Sequence, residues 1–494
     1  MVLALVCVGQ FMVVLDLSIV NVALPSMQRD LSFSTSGLQW VVNAYALAFG
    51  GFLLLGGRAA DLYGRRRIFM LGLCLFAGAS LVCALAQDQG MLVGARALQG
   101  LGAAVLSPAT LTILTVTFRS PRERARALGT WSAMAAVGGA SGALLGGVLT
   151  DLLSWRWIFY INIPVGVAAL VAARVVLTET RAEGPRPPLD VPGAVTVTGG
   201  LVALVYAVAG TTTHPWASAA TVVPLAVAAM FLAVFAVVEL RVARAPLVPF
   251  RLFRSRGLSA ANASMLLVGG AMFSMWFFVS LYLQDVLRFS PLLTGVGFIP
   301  QTACIAVAAQ LSSRLVPRLG PRLPLVVGAV LSAGGLAWLS RIEANGSYWT
   351  SVFGGADLAT LGMGLAMTPL AFAATAGVAP AEAGLASGVL NTSRQVGASV
   401  ALAVLATLAA DRTQALLGAA HTGAAHRAVQ AGALTAGFSR GFEGASLLAL
   451  AGVGAALALP RRGRPAAVAP AAVAPAAVAT PEGAPGAPAP APQA

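Results

Sequence analysis

Two ionisable side chains sit deep inside apolar runs. They are Asp16, in Leu15-Asp16-Leu17-Ser18-Ile19-Val20-Asn21-Val22-Ala23-Leu24-Pro25, and Arg96, in Leu92-Val93-Gly94-Ala95-Arg96-Ala97-Leu98-Gln99-Gly100. At the rise of an α-helix, Asp16 lies about 13 Å from the far end of its run, near mid-membrane. A charge there costs about 2.5–3.5 kcal/mol on insertion scales, so each of the two must face a cavity or a partner, and each suits the other. A low-dielectric surrounding favours the neutral carboxyl, whereas a facing guanidinium favours the carboxylate. Separating the pair would load a proton and closing it would release one; a purely structural ion pair is the alternative. Asp357 is the other acid embedded in an apolar run, and it suits a cationic substrate or a second proton. Asn43, Tyr45, Gln99, Phe298, Gln301 and Asn391 are candidate cavity groups, although such faces serve plain packing as often.

Two glycine patterns accompany these charges. Gly138, Gly142 and Gly146 recur every four residues, beside Gly129 and Gly147, in a stretch without charge from Ala127 to Thr150. They line one helix face and let a neighbouring backbone approach closely. Between two apolar runs stands Gly57-Arg58-Ala59-Ala60-Asp61-Leu62-Tyr63-Gly64-Arg65-Arg66-Arg67, where Gly57 and Gly64 suit a tight turn and Asp61 can accept from Arg65. The stretch Arg314-Leu315-Val316-Pro317-Arg318-Leu319-Gly320-Pro321-Arg322 echoes it, with Gly320 in the place of Gly64 and Pro317 where the acid would be. The echo indicates two homologous halves.

The elements that must position these residues are membrane helices. The chain has 494 residues, 58% hydrophobic and 10% charged, with a mean hydropathy of +0.84, which no soluble core requires. At about 20 apolar residues per crossing, fourteen spans are expected: Val2–Leu24, Leu38–Gly57, Ile68–Leu85, Gly90–Phe118, Ala127–Leu149, Trp157–Leu177, Val191–Ala209, Ser218–Leu240, Leu258–Leu283, Leu292–Val316, Leu323–Leu339, Tyr348–Val378, Ala383–Ala410 and Leu434–Leu459. With the N-terminus inside, 22 of the 31 basic residues fall in inner loops and seven in outer ones, which places both termini in the cytoplasm. The net charge of +14 is therefore topology rather than a nucleic-acid footprint. Every basic residue is Arg, so no P-loop lysine is present and a gradient must supply the energy; no cofactor is expected. The four cysteines lie in apolar spans, and neither a disulfide nor a metal site is expected, His421 and His426 included. Met1 to Leu24 reads as a retained span that begins abruptly. Beyond Arg464 the Ala/Pro/Val-rich chain reads as a disordered tail.

The glycine stretch resembles the antiporter signature of exporters of the major facilitator superfamily, except that Ala143 replaces the proline after the third glycine. The Gly57–Arg67 segment resembles that superfamily's hallmark loop, which implies an inner latch formed by Gly57, Arg58, Asp61, Gly64, Arg65 and Arg66. The stretches around Asp16 and Arg96 resemble signatures of its 14-span drug:proton antiporters. The Ser154–Gly166 segment, Tyr282-Leu283-Gln284 with Ser290-Pro291-Leu292, and Ala383–Gly397 are similar to the EmrB/QacA branch, so the likeness runs from residue 1 to about 460. It implies an all-α polytopic fold: a six-helix bundle over residues 1–178, a linker with two extra helices over 179–256, a second six-helix bundle over 257–460 and the tail 461–494. It further implies a monomeric proton-coupled antiporter of a bacterial cell membrane, exporting drug-like small molecules, with Asp16 and Arg96 carrying proton coupling. An importer or symporter of a polar metabolite on the same fold is the alternative. A membrane enzyme or sensor is excluded by the shortness of every loop.

Overall fold

The computed structural model describes residues 1–118, 120–180, 188–211, 213–243, 246–376, 378, 382–419 and 426–459. Among these, all regular structure is helical. The first half comprises α1 (Val2–Asp30), α2 (Thr35–Tyr63), α3 (Arg65–Ala84), α4 (Gln89–Thr117), α5 (Pro121–Leu152) and α6 (Trp157–Val176). A hairpin follows, α7 (Val191–Gly210) and α8 (Ala219–Val242). The second half comprises α9 (Arg256–Val286), α10 (Pro291–Leu319), α11 (Arg322–Leu339), α12 (Tyr348–Thr375), α13 (Ala383–Ala419) and α14 (His426–Leu457). Twelve of these are long and apolar enough to cross a membrane, among the described residues. Of the other two expected spans, α5 offers an apolar helix over Val137–Leu152 among the described residues, and α14 carries Arg440 and Glu443.

Several bounds differ from expectation because hydropathy sees the bilayer and not the helix. Helix α1 continues through Pro25 to Asp30, and α13 runs on to Ala419 where an outer loop was expected from Asp411. The tail beyond Leu459, His421 and residues 181–187 lie outside the described residues.

Within each half the helices pack as small-residue seams, α2 and α3 on α4, α1 on α5, α11 and α10 on α12, and α9 on α13. Helix α7 lies against both α2 and α13 and so bridges the halves, with Leu201, Val205 and Val208 on Leu47 and Ala403. The buried apolar side chains divide unevenly. At the end away from Met1 one continuous core draws on both halves, from Ile19, Val22 and Leu38 to Phe277, Leu283 and Leu336. At the end that holds Met1 there are two separate cores, one around Leu53, Phe69 and Leu106 and one around Met265, Leu370 and Ala456. The halves thus share one apolar core at one end and have separate ones at the other, where α2 and α13 still touch through Leu54 and Gly388 and through the bond from Thr392 Oγ1 to the Gly50 carbonyl.

The hallmark loop is tighter than its glycines suggested. Gly57 is an interior residue of α2, and only Gly64 makes the turn, with φ +109°. The corresponding glycine of the second half, Gly320, has φ +76°, so the two halves share this backbone device. A Cβ on Gly64 would also stand 2.3 Å from Glu179 Oε1. We expect Gly64→Ala to cost about 1–3 kcal/mol through the left-handed backbone and this contact, whereas Gly57→Ala, in a helix interior, costs less than about 1 kcal/mol. Thermal unfolding of the two variants in detergent checks this, and equal losses would contradict it.

Candidate functional site

Asp16 is fully buried, and so is Arg96 at 1% exposure. Arg96 Nη1 donates to Asp16 Oδ2 at 2.6 Å and to Gln99 Oε1 at 2.7 Å, while its Nε donates to the Val41 carbonyl at 2.9 Å. The other carboxylate oxygen, Oδ1, accepts from Gln99 Nε2 at 2.7 Å and from Asn162 Nδ2 at 3.3 Å. Ser80 closes the ring: its hydroxyl accepts from Gln99 at 3.3 Å and Asn162 at 3.1 Å and donates to the Phe159 carbonyl at 2.9 Å. The guanidinium also lies over the Tyr45 ring, 4.4 Å from its centroid. The carboxyl is therefore held by side chains of α4 and α6, which Ser80 of α3 ties to each other, and its guanidinium by the backbone of α2. Gln99 is on this network because it follows Arg96 by three residues and shares its face of α4.

Tyr45 and Gln99, expected in a cavity, belong to the charged pair instead. Ser80 and Asn162 had no signal of their own in the sequence, since a neutral polar residue in a membrane helix is ordinary packing. Asn43 is fully buried with both amide atoms unpartnered. In the second half, Phe298 and Gln301 are buried on α10, and Gln301 Oε1 lacks a donor. Asp357 is 9% exposed on the neighbouring α12, with Oδ1 likewise unpartnered. Asn391 is exposed on α13. These side chains are not drawn into one cluster with Asp16.

The face of α1 opposite this network rests on the glycines of α5. A Cβ on Gly138 would lie 3.0 Å from the Phe11 carbonyl, one on Gly142 2.5 Å from Ser18 Cβ, and one on Gly146 2.7 Å from the Ile19 carbonyl. Ser18 Oγ donates to the Gly139 carbonyl at 2.8 Å. Gly147 faces the other half: its Cβ would lie 2.5 Å from the Pro291 carbonyl, and reciprocally a Cβ on Gly295 would lie 2.5 Å from the carbonyl of Ala143. Gly129 meets nothing within 4 Å and is no part of either contact.

At the end holding Met1, Arg65 Nη2 donates to Asp61 Oδ1 at 2.8 Å. Arg66 Nη2 donates to the Arg174 carbonyl at 2.9 Å, the Arg65 amide donates to the Thr180 carbonyl at 3.0 Å, and Arg67 pairs with Glu179 at 3.6 Å. The loop is thus fastened to the end of α6, within the first half; Arg58 is half-buried on α2. Trp155 is buried and donates to Asp30 Oδ2 at 2.9 Å, while Trp157 is exposed.

The sequence profile of the Major Facilitator Superfamily matches residues 6–402. The chain is 44% identical over 413 residues to the cephamycin export protein CmcT of Amycolatopsis lactamdurans, covering 83% of this chain and 85% of that one. It is 44% identical over 422 residues to the puromycin resistance protein pur8 of Streptomyces alboniger, covering 84% and 82%. It is 38% identical over 411 residues to the tetracenomycin C resistance and export protein of Streptomyces glaucescens, covering 82% and 75%. Among solved structures, a bacterial homologue of the human lysosomal transporter Spinster superposes with a TM-score of 0.66 at 16% identity, over 94% of this chain and 98% of that one.

Because Gly142 admits the backbone of α1, Gly142→Ala should cost about 1–3 kcal/mol by overpacking, and Gly129→Ala less than about 0.5 kcal/mol. Melting temperatures of the purified variants report the difference, and an unshifted Gly142→Ala would contradict the contact.

Proposed function

The chain belongs to the Major Facilitator Superfamily, and from that premise we propose that it exports hydrophobic or amphipathic small molecules of the antibiotic kind across a bacterial cytoplasmic membrane in exchange for protons. It is a transporter and not an enzyme. The observation that carries the proposal is the fully buried Asp16, poised between Arg96 and two amide donors. Drug efflux is supported by the export and resistance proteins to which the chain is similar across four-fifths of its length. Fourteen crossings with both termini inside agree with the excess of arginine on that side, and α7 and α8 are then the extra pair. In that orientation the shared core closes the outer end, while at the inner end the halves have separate cores and meet through α2 and α13, so fewer apolar contacts have to part there for cytoplasmic substrate to enter.

The cycle follows from electrostatics. With Arg96 against it, Asp16 is held as the carboxylate; drawing α1 away from α4 leaves a buried carboxyl without its cation, and it takes a proton. Substrate and proton thereby compete for successive states of one helix. A potential of about 150 mV contributes about 3.5 kcal/mol per proton, enough for a gradient of a few hundredfold. Gln301 and Asp357, acceptors without donors in the second half, suit the substrate side of the passage, where Asp357 would meet a cationic group or a second proton. The chain works as a monomer, with no cofactor.

In everted vesicles an acidified interior should drive accumulation of substrate, and Asp16→Asn should reduce that accumulation at least about tenfold. Removing one member of a buried pair costs about 3–5 kcal/mol, so Asp16→Asn/Arg96→Gln should be the more stable variant and equally uncoupled. Undiminished gradient-driven export by Asp16→Asn would exclude Asp16 as the proton carrier, and uptake driven the other way would mark an importer.

A further inference from the structure

Pro25 lies inside α1, four residues after Asn21, and having no amide hydrogen it leaves the Asn21 carbonyl without its helical donor. In a sealed apolar core such a carbonyl must find a donor elsewhere. It finds one in the other half of the molecule: Ser280 Oγ of α9 donates to the Asn21 carbonyl at 2.7 Å. One turn further along α9, Gln284 Nε2 donates to the Val22 carbonyl at 2.8 Å and to Ser280 Oγ at 3.3 Å. Ser280 is fully buried and Gln284 is 7% exposed, within the shared core formed by Ile19, Val22, Leu281 and Leu283. Both bonds cross between halves, at the end where those halves are sealed. Asn21 Oδ1 and Gln284 Oε1 are buried beside them without donors. The clasp is therefore incompletely satisfied when closed, and water reaching it on opening would solvate what closure leaves bare.

We propose that Ser280 and Gln284 are the gating residues of the outer end: they hold the halves together through two adjacent backbone acceptors on α1, the Asn21 carbonyl that Pro25 frees and the Val22 carbonyl beside it, and the parting of these two bonds is the step that opens the protein outward. The inference rests on alternating access as proposed above, and deepens it by naming the residues that set the balance between the two states. It also gives the coupling a path. Asn21 follows Asp16 by five residues on the same helix, so a shift of α1 that separates Asp16 from Arg96 also withdraws the acceptors from Ser280 and Gln284.

The test is a distance measurement on the purified chain without substrate or gradient, so that it is independent of whether Asp16 carries the proton. Spin labels are placed through Gln87→Cys and Asn345→Cys, in the outer connections of the two halves, with the four native cysteines replaced. Ser280→Ala and Gln284→Leu should each raise the ratio of outward-open to outward-closed molecules roughly three- to tenfold, the size of one net hydrogen bond. Pro25→Ala restores an amide that competes for the Asn21 carbonyl, so it should produce a similar shift, and adding Ser280→Ala to it should shift the ratio little further. Distance distributions unchanged by Ser280→Ala and Gln284→Leu would overturn the gate. Independent, additive effects of Pro25→Ala and Ser280→Ala would overturn its dependence on the proline. Should Pro25→Ala not fold, the two side-chain variants decide the matter alone.

Discussion

The structure depends on keeping one carboxylate and one guanidinium inside an apolar bundle. Each would be costly alone at that depth, and together they are tolerable because both carboxylate oxygens and the Nε and Nη1 donors of the guanidinium are hydrogen-bonded. Asp16 accepts from three side chains and Arg96 donates to three oxygens, so five of the first six helices are fixed relative to one another by a single polar ring. Breaking one bond of such a ring strands a buried polar group, so its members are held together as a unit.

Helix α1 is where the ring acquires mechanical meaning. One face holds Asp16, another seats Phe11, Ser18 and Ile19 against Gly138, Gly142 and Gly146 of α5, and its outer turn meets α9 of the second half. A helix seated on a glycine track has few interlocking side chains to unseat when it slides. The contact between Gly147 and Pro291, answered by that between Gly295 and Ala143, continues the same close packing across the boundary between halves. Ala143 takes the position of the signature proline at this crossing, where its carbonyl is in close contact with Gly295. The hallmark loop, by contrast, is tied to α6 and so braces the first half.

The charged pair was legible in the sequence because an apolar run makes any charge conspicuous and leaves it only a partner of opposite sign. The rest of the ring was not. Ser80 and Asn162 are neutral, and only the packing of α6 on α1 and α3 brings Asn162 to Asp16 and Ser80 to Asn162 and Gln99. Gln99 was assigned to the cavity although its spacing from Arg96 already placed both on one face; periodicity tells which residues share a face but not which neighbour that face meets. Gly57 and Gly64 read alike as letters, and only Gly64 has the backbone conformation that needs glycine. The glycine ladder was readable as a close-contact surface, but its division between α1 and α10 was not. Hydropathy found the helices and missed their ends, since α1 and α13 run past the apolar stretch that betrays them.

The account turns on Asp16 exchanging its proton as the transporter changes state, and proton release on substrate binding measures this directly. Added to purified, weakly buffered protein, a transported drug should release protons into the medium as the ring closes around an ionised Asp16, and the Asp16→Asn protein should bind the drug and release none. Equal release from the two proteins would show that the exchanging proton resides elsewhere and would contradict the role assigned to this carboxyl.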